Sequence, residues 1–137
     1  MNKMATEPTT YDLAGQVIGL AMKVHSTLGP GFLEAVYQKA LVHELHKAGI
    51  EVETEVRLNV RYDDVVVGVF DADMLINKLL LVENKAVQAL VAAHEVQLVN
   101  YLTATGLDEG LLLNFGAARL EFKKKYRIYQ PTAKPSS

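Results

Sequence analysis

Glu83-Asn84-Lys85 sets a carboxylate and an ammonium two positions apart, directly after the apolar run Leu79-Leu80-Leu81-Val82. Alternate residues of a β-strand point to the same face, so Glu83 and Lys85 emerge together with Leu81. Leu80, Val82 and Asn84 occupy the other face. An acid and a base leaving water together are costly unless each finds a partner. The plain structural reading is a salt bridge at the edge of the core. Asp73, ten positions before Glu83, opens another. If a hairpin sets it opposite Glu83, two carboxylates and a lysine converge on one patch. Mg²⁺ is held by few carboxylates together with water and substrate phosphate oxygens. Such an ion lowers the pKa of an attacking water and offsets charge at phosphorus, and a lysine can orient that water or neutralise the developing charge.

Register tests this convergence. A two-residue turn at Asn77-Lys78 pairs Ile76 with Leu79 and sends Asp73 to the wrong face. Pairing Asp73 with Glu83 needs an odd-length connection, such as Asn77-Lys78-Leu79, or a bulge. A three-residue connection or a bulge is therefore predicted.

The elements that must carry these residues follow from periodicity. Leu13, Val17, Leu20, Ala21, Val24 and Leu28 recur at helical spacing over 11–28, with Thr9 or Thr10 as N-cap. Gly29-Pro30-Gly31 stops that helix. A second helix over 32–48 buries Leu33, Val36, Tyr37, Ala40, Leu41 and Leu45, and Gly49 ends it. The period then becomes two: Val52, Thr54, Val56, Leu58, Val60 and Tyr62 alternate with polar residues, giving a strand with one wet face. Asp63-Asp64 turns the chain into a strand over 65–76, and a central strand follows over 79–86. A helix over 91–105 ends at Gly106. Leu111–Phe115 is a short buried strand, and a last strand runs over about 118–122 before an extended basic tail. The order ααβββαββ predicts an α/β (α+β) domain, a mixed central sheet flanked by helices. Residues 1–10 and 130–137 read as flexible tails around a single domain, 11–129.

Composition narrows the function. Half of the 137 residues are hydrophobic and 22% are charged, which supports a core and excludes wholesale disorder. With no cysteine there is no disulfide framework, thiolate zinc site or cysteine nucleophile, which suits a cytoplasmic protein. The start has no secretory run, and no stretch reaches the roughly 20 apolar residues of a membrane helix. A net charge of −2 gives no overall pull on DNA or RNA. Lys123, Lys124, Lys125 and Arg127, interleaved with Tyr126 and Tyr129, nevertheless form a basic strip able to grip backbone phosphates. The alternative is the uneven surface charge of an ordinary soluble domain.

In chain order, Gly31-Phe-Leu-Glu34-Ala-Val-Tyr37, Asp73, Glu83-x-Lys85, His94-x-x-Gln97-x-x-x-Tyr101-Leu and the Gly110–Gly116 segment GLLLNFG resemble the bacterial GxxExxY proteins. These are grouped with the PD-(D/E)XK nuclease superfamily, and the resemblance spans about 11–129. It implies a restriction-endonuclease-like core. It implies Asp73 and Glu83 as metal ligands for Mg²⁺ or Mn²⁺, and Lys85 as the catalytic lysine. Glu34 would supply a further carboxylate, directly or through water, and Gln97 would organise the site. Two positions depart from the pattern: no proline precedes Asp73, and Asn84 stands where an apolar residue is more usual. Asp71 adds a nearby acid.

Helical spacing puts Glu34 and Tyr37 on one face and makes a polar stripe of His94, Gln97 and Tyr101. Tyr37 reads as a core aromatic with a satisfied hydroxyl. His43 and His46 lack a third ligand for zinc. His25 reads as structural, Ser26 has no nucleophile-elbow context, and Gly29-Pro30-Gly31 lacks the lysine and hydroxyl of a phosphate loop. The expected activity is hydrolysis of DNA, less readily RNA, by metal-activated water. The rival is a catalytically inactive nuclease fold serving as an interaction or regulatory module. A homodimer would enlarge the small nucleic-acid surface.

Overall fold

The computed structural model describes residues 10–128. The expected tails lie outside these residues apart from Thr10, which begins the first helix. Thr9 and Tyr129 also lie outside. The elements are α1 (Thr10–Leu28), α2 (Glu34–Lys47), β1 (Val52–Tyr62), β2 (Val65–Ile76), β3 (Leu80–Lys85), α3 (Ala92–Thr105), β4 (Glu109–Asn114) and β5 (Glu121–Tyr126). The five strands lie side by side in chain order. Among the described strands only β3 and β4 run parallel, joined by the α3 crossover, so the sheet is mixed as predicted. No helix among the described residues is long and apolar enough to cross a membrane.

Apolar side chains cover both faces of the sheet. On one face α1 contributes Leu13, Val17, Ala21 and Val24, and α2 contributes Tyr37, Leu41 and Leu45. They bury Met74, Ile76, Leu80, Val82, Leu111 and Leu113. On the other, Leu98 and Leu102 of α3 cover Ala72, Leu81 and Leu112. Helices on both faces explain why β3 and β4 are apolar on both sides.

Four expectations are corrected. Helix α2 starts at Glu34, with Leu33 in the cap position, so Leu33 and Val36 are exposed and not part of the core. Leu79 is an exposed loop residue ahead of β3. The last strand begins at Glu121 and takes in the basic segment, because backbone pairing with β4 from Asn114↔Glu121 to Glu109↔Tyr126 gives those residues a ladder. Its three consecutive lysines suit an edge strand, where charge blocks pairing with other chains. Finally, β1 does not keep one dry face. Val52 packs on the α1/α2 side and Leu58 on the α3 side. The change falls at Glu55, whose φ of +53° is rare for a residue with a Cβ. There the ladder passes from Thr54↔Met74 to Val56↔Ala72 with the Glu55–Asp73 pair missing. Partner strand β2 changes face with it, since Phe70 and Ala72 belong to the α3 side and Met74 and Ile76 to the other.

Candidate active site

The hairpin between β2 and β3 has the predicted odd-length connection. Ile76 pairs with Leu80, Leu75 with Leu81 and Met74 with Val82, leaving Asn77-Lys78-Leu79 as the loop. Asn77 and Lys78 take positive φ, 51° and 59°. Continued one step, this register sets Asp73 opposite Glu83. Side chains replace the backbone ladder there. The Asp73 N–H donates to Glu83 Oε2 (3.1 Å), and the Asn84 N–H donates to Asp73 Oδ2 (2.7 Å). Each carboxylate thus commits one oxygen to the neighbouring strand and has a second oxygen to offer.

The electrostatics are those of two acids crowded together. Burial, then the charge of Asp73, pushes the Glu83 carboxyl up to about 7. Burial also raises Asp73, with Glu55 and Glu34 adding to it, against the Asn84 N–H and Lys85, which lower it. Lys85 is close enough to favour both ionised acids without neutralising the pair.

The other predicted residues stand at different distances from this centre. Glu34 is the exposed first residue of α2 and shares a cavity with Asp73. Tyr37, three residues on, turns into the core, where its hydroxyl donates to the Gly29 carbonyl and accepts the Phe32 N–H. Tyr37 is therefore the satisfied core aromatic the sequence predicts. Its partner Gly29 and the nearby Gly31 both need positive φ (72° and 117°), which the tight entry into α2 demands. Tyr101 stacks on Phe70 with centroids 3.6 Å apart. Burial, then the charges of Glu83 and Asp73, raises its phenol while neighbouring Gln97 lowers it, so Tyr101 stands within electrostatic reach of both acids with Gln97 beside it. His94 serves α3 instead: its Nδ1 accepts the Val91 N–H at the helix start (3.2 Å). Asp71 is held by Arg57 in a two-pronged ion pair (2.9 and 3.2 Å) and is not a site acid. His43 and His46 are exposed on α2, while His25 Nε2 meets the Ala117 carbonyl (2.9 Å) in a structural bond.

The expected basic strip is divided. Strand alternation sends Lys123 and Lys125 to the α3 face and Lys124 to the other. Lys125 pairs with Glu95 (2.9 Å) and Arg127 with Asp108 (2.7 Å), while Lys124 acts on the buried Glu109. Exposed Lys123 lies in one row with Glu83, across Leu112 of β4. Two strand spacings separate them, about 10 Å.

Two members of the site, Gln38 and Glu55, were not legible in the sequence. Gln38 Nε2 donates to Glu55 Oε2 (3.0 Å) and to the Asp73 carbonyl (3.4 Å), and its Oε1 accepts from Asn84 Nδ2 (3.2 Å). One side chain of α2 thus ties β1, β2 and β3 together around Asp73. The polar choice at Asn84, unusual against the family pattern, was the available signal. Gln38→Ala is expected to weaken Mn²⁺ binding about 10- to 100-fold, as loss of a support behind a ligand typically does. Isothermal titration of Mn²⁺ checks this, and unchanged affinity would show that Asp73 is held without it.

The donors suit a hard divalent cation. They are carboxylate oxygens, two of them adjacent and short of positive charge. Among the described residues no three acidic or imidazole groups close on one point, so Asp73 and Glu83 form the inner pair and Glu34 stands further out.

A mixed sheet flanked by helices, with two carboxylates and a lysine meeting where β2 and β3 part, defines a restriction-endonuclease-like domain. The profile of the PD-(D/E)XK nuclease superfamily matches residues 11–125, and the chain belongs to that superfamily. Its members generally use divalent metals. The crystal structure of SSO0001 has a similar fold, with TM-score 0.54 and 18% identity over 71% of this chain. The match covers 52% of that chain, so this protein spans about half its length. No protein of curated function matches.

Proposed function

We propose that this protein, one domain over 11–129 within the GxxExxY branch of its superfamily, is a cytoplasmic Mg²⁺- or Mn²⁺-dependent phosphodiesterase acting on DNA, less readily on RNA. The observation that carries the reading is the pair of bonds that sets the Asp73 and Glu83 carboxylates side by side, Asp73 N–H to Glu83 and Asn84 N–H to Asp73, with Lys85 on the same strand face as Glu83. Asp73 and Glu83 would hold the cation, with Glu34 assisting through water. When bound, that ion supplies charge stabilisation at the phosphate and a more acidic water. The chain's own contribution is placement. Lys85 sets a fixed positive charge beside the carboxylate pair, where it neutralises charge growing on the phosphate oxygens or orients the attacking water. Tyr101 and Gln97 close the α3 side of the site, and Lys123 offers a phosphate contact two strands across the sheet in the row of Glu83.

Cleavage assays on single-stranded, duplex and branched DNA, and on RNA, with Mn²⁺ and with Mg²⁺, test this. Activity is expected with either ion and lost by about 10²- to 10³-fold in Lys85→Ala, the scale of removing one charge-stabilising group. No cleavage of any substrate together with no Mn²⁺ uptake would favour the inactive interaction module.

A further inference from the structure

We propose that the cavity beside Asp73 receives an unpaired base, so that the preferred substrate is single-stranded or splayed nucleic acid and not intact duplex. This rests on the nuclease reading and specifies its substrate class. The cavity, about 780 Å³, opens between α2 and the β1–β2 pair. That falls within the usual range for small-ligand sites. Its lining is mixed. The α2 side brings apolar Phe32, Leu33 and Val42 together with Glu34 and Lys39, and the sheet side brings Glu55 and Asp73. Three acids against one lysine leave the lining net negative, so a phosphate backbone laid inside it would meet like charge. A flat, uncharged base fits against the apolar side chains while its own phosphate stays outside, toward Lys85.

Phe32 is built as a platform. Its residue is 48% exposed, yet it is fixed from behind. The Phe32 N–H donates to the Tyr37 hydroxyl (3.1 Å), and its ring meets that of Tyr37 edge-on at 6.1 Å. Tyr37 is fully buried and stacked on Phe115 at 4.8 Å. A chain of aromatic contacts therefore runs from Phe115 in the core through Tyr37 to Phe32 in the cavity lining. Leu33 is a second, independent observation. It occupies the N-cap of α2, where Ser, Thr, Asp or Asn would satisfy the first N–H groups, makes no side-chain cap bond, and is 81% exposed. A local rule broken in this way, beside the acids, marks a position kept for contact and not for helix stability. Within a duplex, bases are stacked and paired, and exposing one costs a few kcal/mol. Single strands, flaps and branch points present them freely.

Fluorescence anisotropy of a labelled single-stranded 20-mer and of the matching blunt duplex, measured on the full chain in the Lys85→Ala background, tests the proposal. The single strand is expected to bind more tightly than the duplex. Phe32→Ala should weaken single-strand binding by about 5- to 100-fold, the range of one base–aromatic stack. Phe32→Trp should restore it, and Mn²⁺ affinity measured by titration should stay the same in both variants, which shows that the fold and the acids are intact. Single-strand binding unchanged in Phe32→Ala, or duplex preferred over single strand, overturns this proposal and leaves the nuclease reading standing. Failure of every nucleic acid to bind, together with no cleavage by the wild type, overturns both and points to a protein partner for the cavity.

Discussion

Glu83→Gln is expected to stabilise the metal-free protein above neutral pH and, in the same molecule, to abolish Mn²⁺ uptake and cleavage. Glu83 is 9% exposed, and burial followed by the charge of Asp73 raises its carboxyl from the usual 4.5 to about 7. In the unfolded chain it titrates normally. Between those values the folded protein holds a proton that the unfolded chain releases. The stability linked to this group is therefore complete below about pH 4.5 and is lost as pH rises through about 7. At 1.36 kcal/mol per unit, the loss is on the order of 3 kcal/mol for the metal-free wild type. Asp73, also raised by burial, shifts stability in the same direction. Glutamine cannot ionise, and its side-chain carbonyl can still accept the Asp73 N–H. Thermal unfolding in chelator from pH 5 to 8.5 should fall steeply for wild type and much less for the variant. Added Mn²⁺ should restore the wild type at pH 8.5 and leave the variant unmoved. A variant less stable than wild type at that pH would show that the two acids are not in electrostatic conflict. The site would then gain stability only when a cation arrives, a trade common where function requires crowded charge.

The second large effect lies behind the site, at Asn114. This residue is fully buried at the end of β4, and its amide holds two loops. Oδ1 accepts from Val87 N–H (2.9 Å) and Gly116 N–H (3.0 Å), while Nδ2 donates to the Val87 carbonyl (2.9 Å) and to Glu121 Oε1 (2.8 Å). The same Glu121 oxygen accepts the Leu90 N–H (3.1 Å). The segment leaving β3 just after Lys85 is therefore pinned by Asn114 at Val87 and by Glu121 at Leu90, with the Phe115 N–H donating to the Lys85 carbonyl (2.9 Å). Alanine there leaves several partly buried groups unpaired, with a cost on the order of 3 kcal/mol. The melting temperature should fall by about 10 °C. Asn114→Asp keeps the acceptor but loses the donor and faces Glu121 with a second carboxylate, so it should not rescue. Cleavage should be lost even at temperatures where Asn114→Ala remains folded, because Lys85 is no longer fixed from behind. A fall in melting temperature below about 3 °C would mean that packing alone, including the close approach of Gly116 to the Val87 backbone, holds the loop.

Much of the frame was legible in the sequence. The periods of α1, β3 and α3 were read nearly to the residue, since each is long or uniformly apolar. The parity of the Asn77–Leu79 loop could be argued before any coordinates, because a one-residue slip reverses a strand's faces. Other features were not legible. The spacing of Leu33 and Val36 matches the buried stripe of α2, and only the point where the helix begins leaves them exposed. The KKKY segment reads as an extended basic tail until β4 offers it a ladder.

Residue types and spacing determined the chemistry: an acid and a lysine on one strand face, a second acid one hairpin away, and the fold family that carries them. Only the tertiary structure decided how closely the acids meet, that Glu55 turns β1 over beside Asp73, that Gln38 braces three strands, and that the three lysines of β5 divide between two faces. The physical reason is range. Alternation and loop parity act between neighbours in the chain, whereas these features arise where α2, β1 and β5 pack against strands distant in sequence.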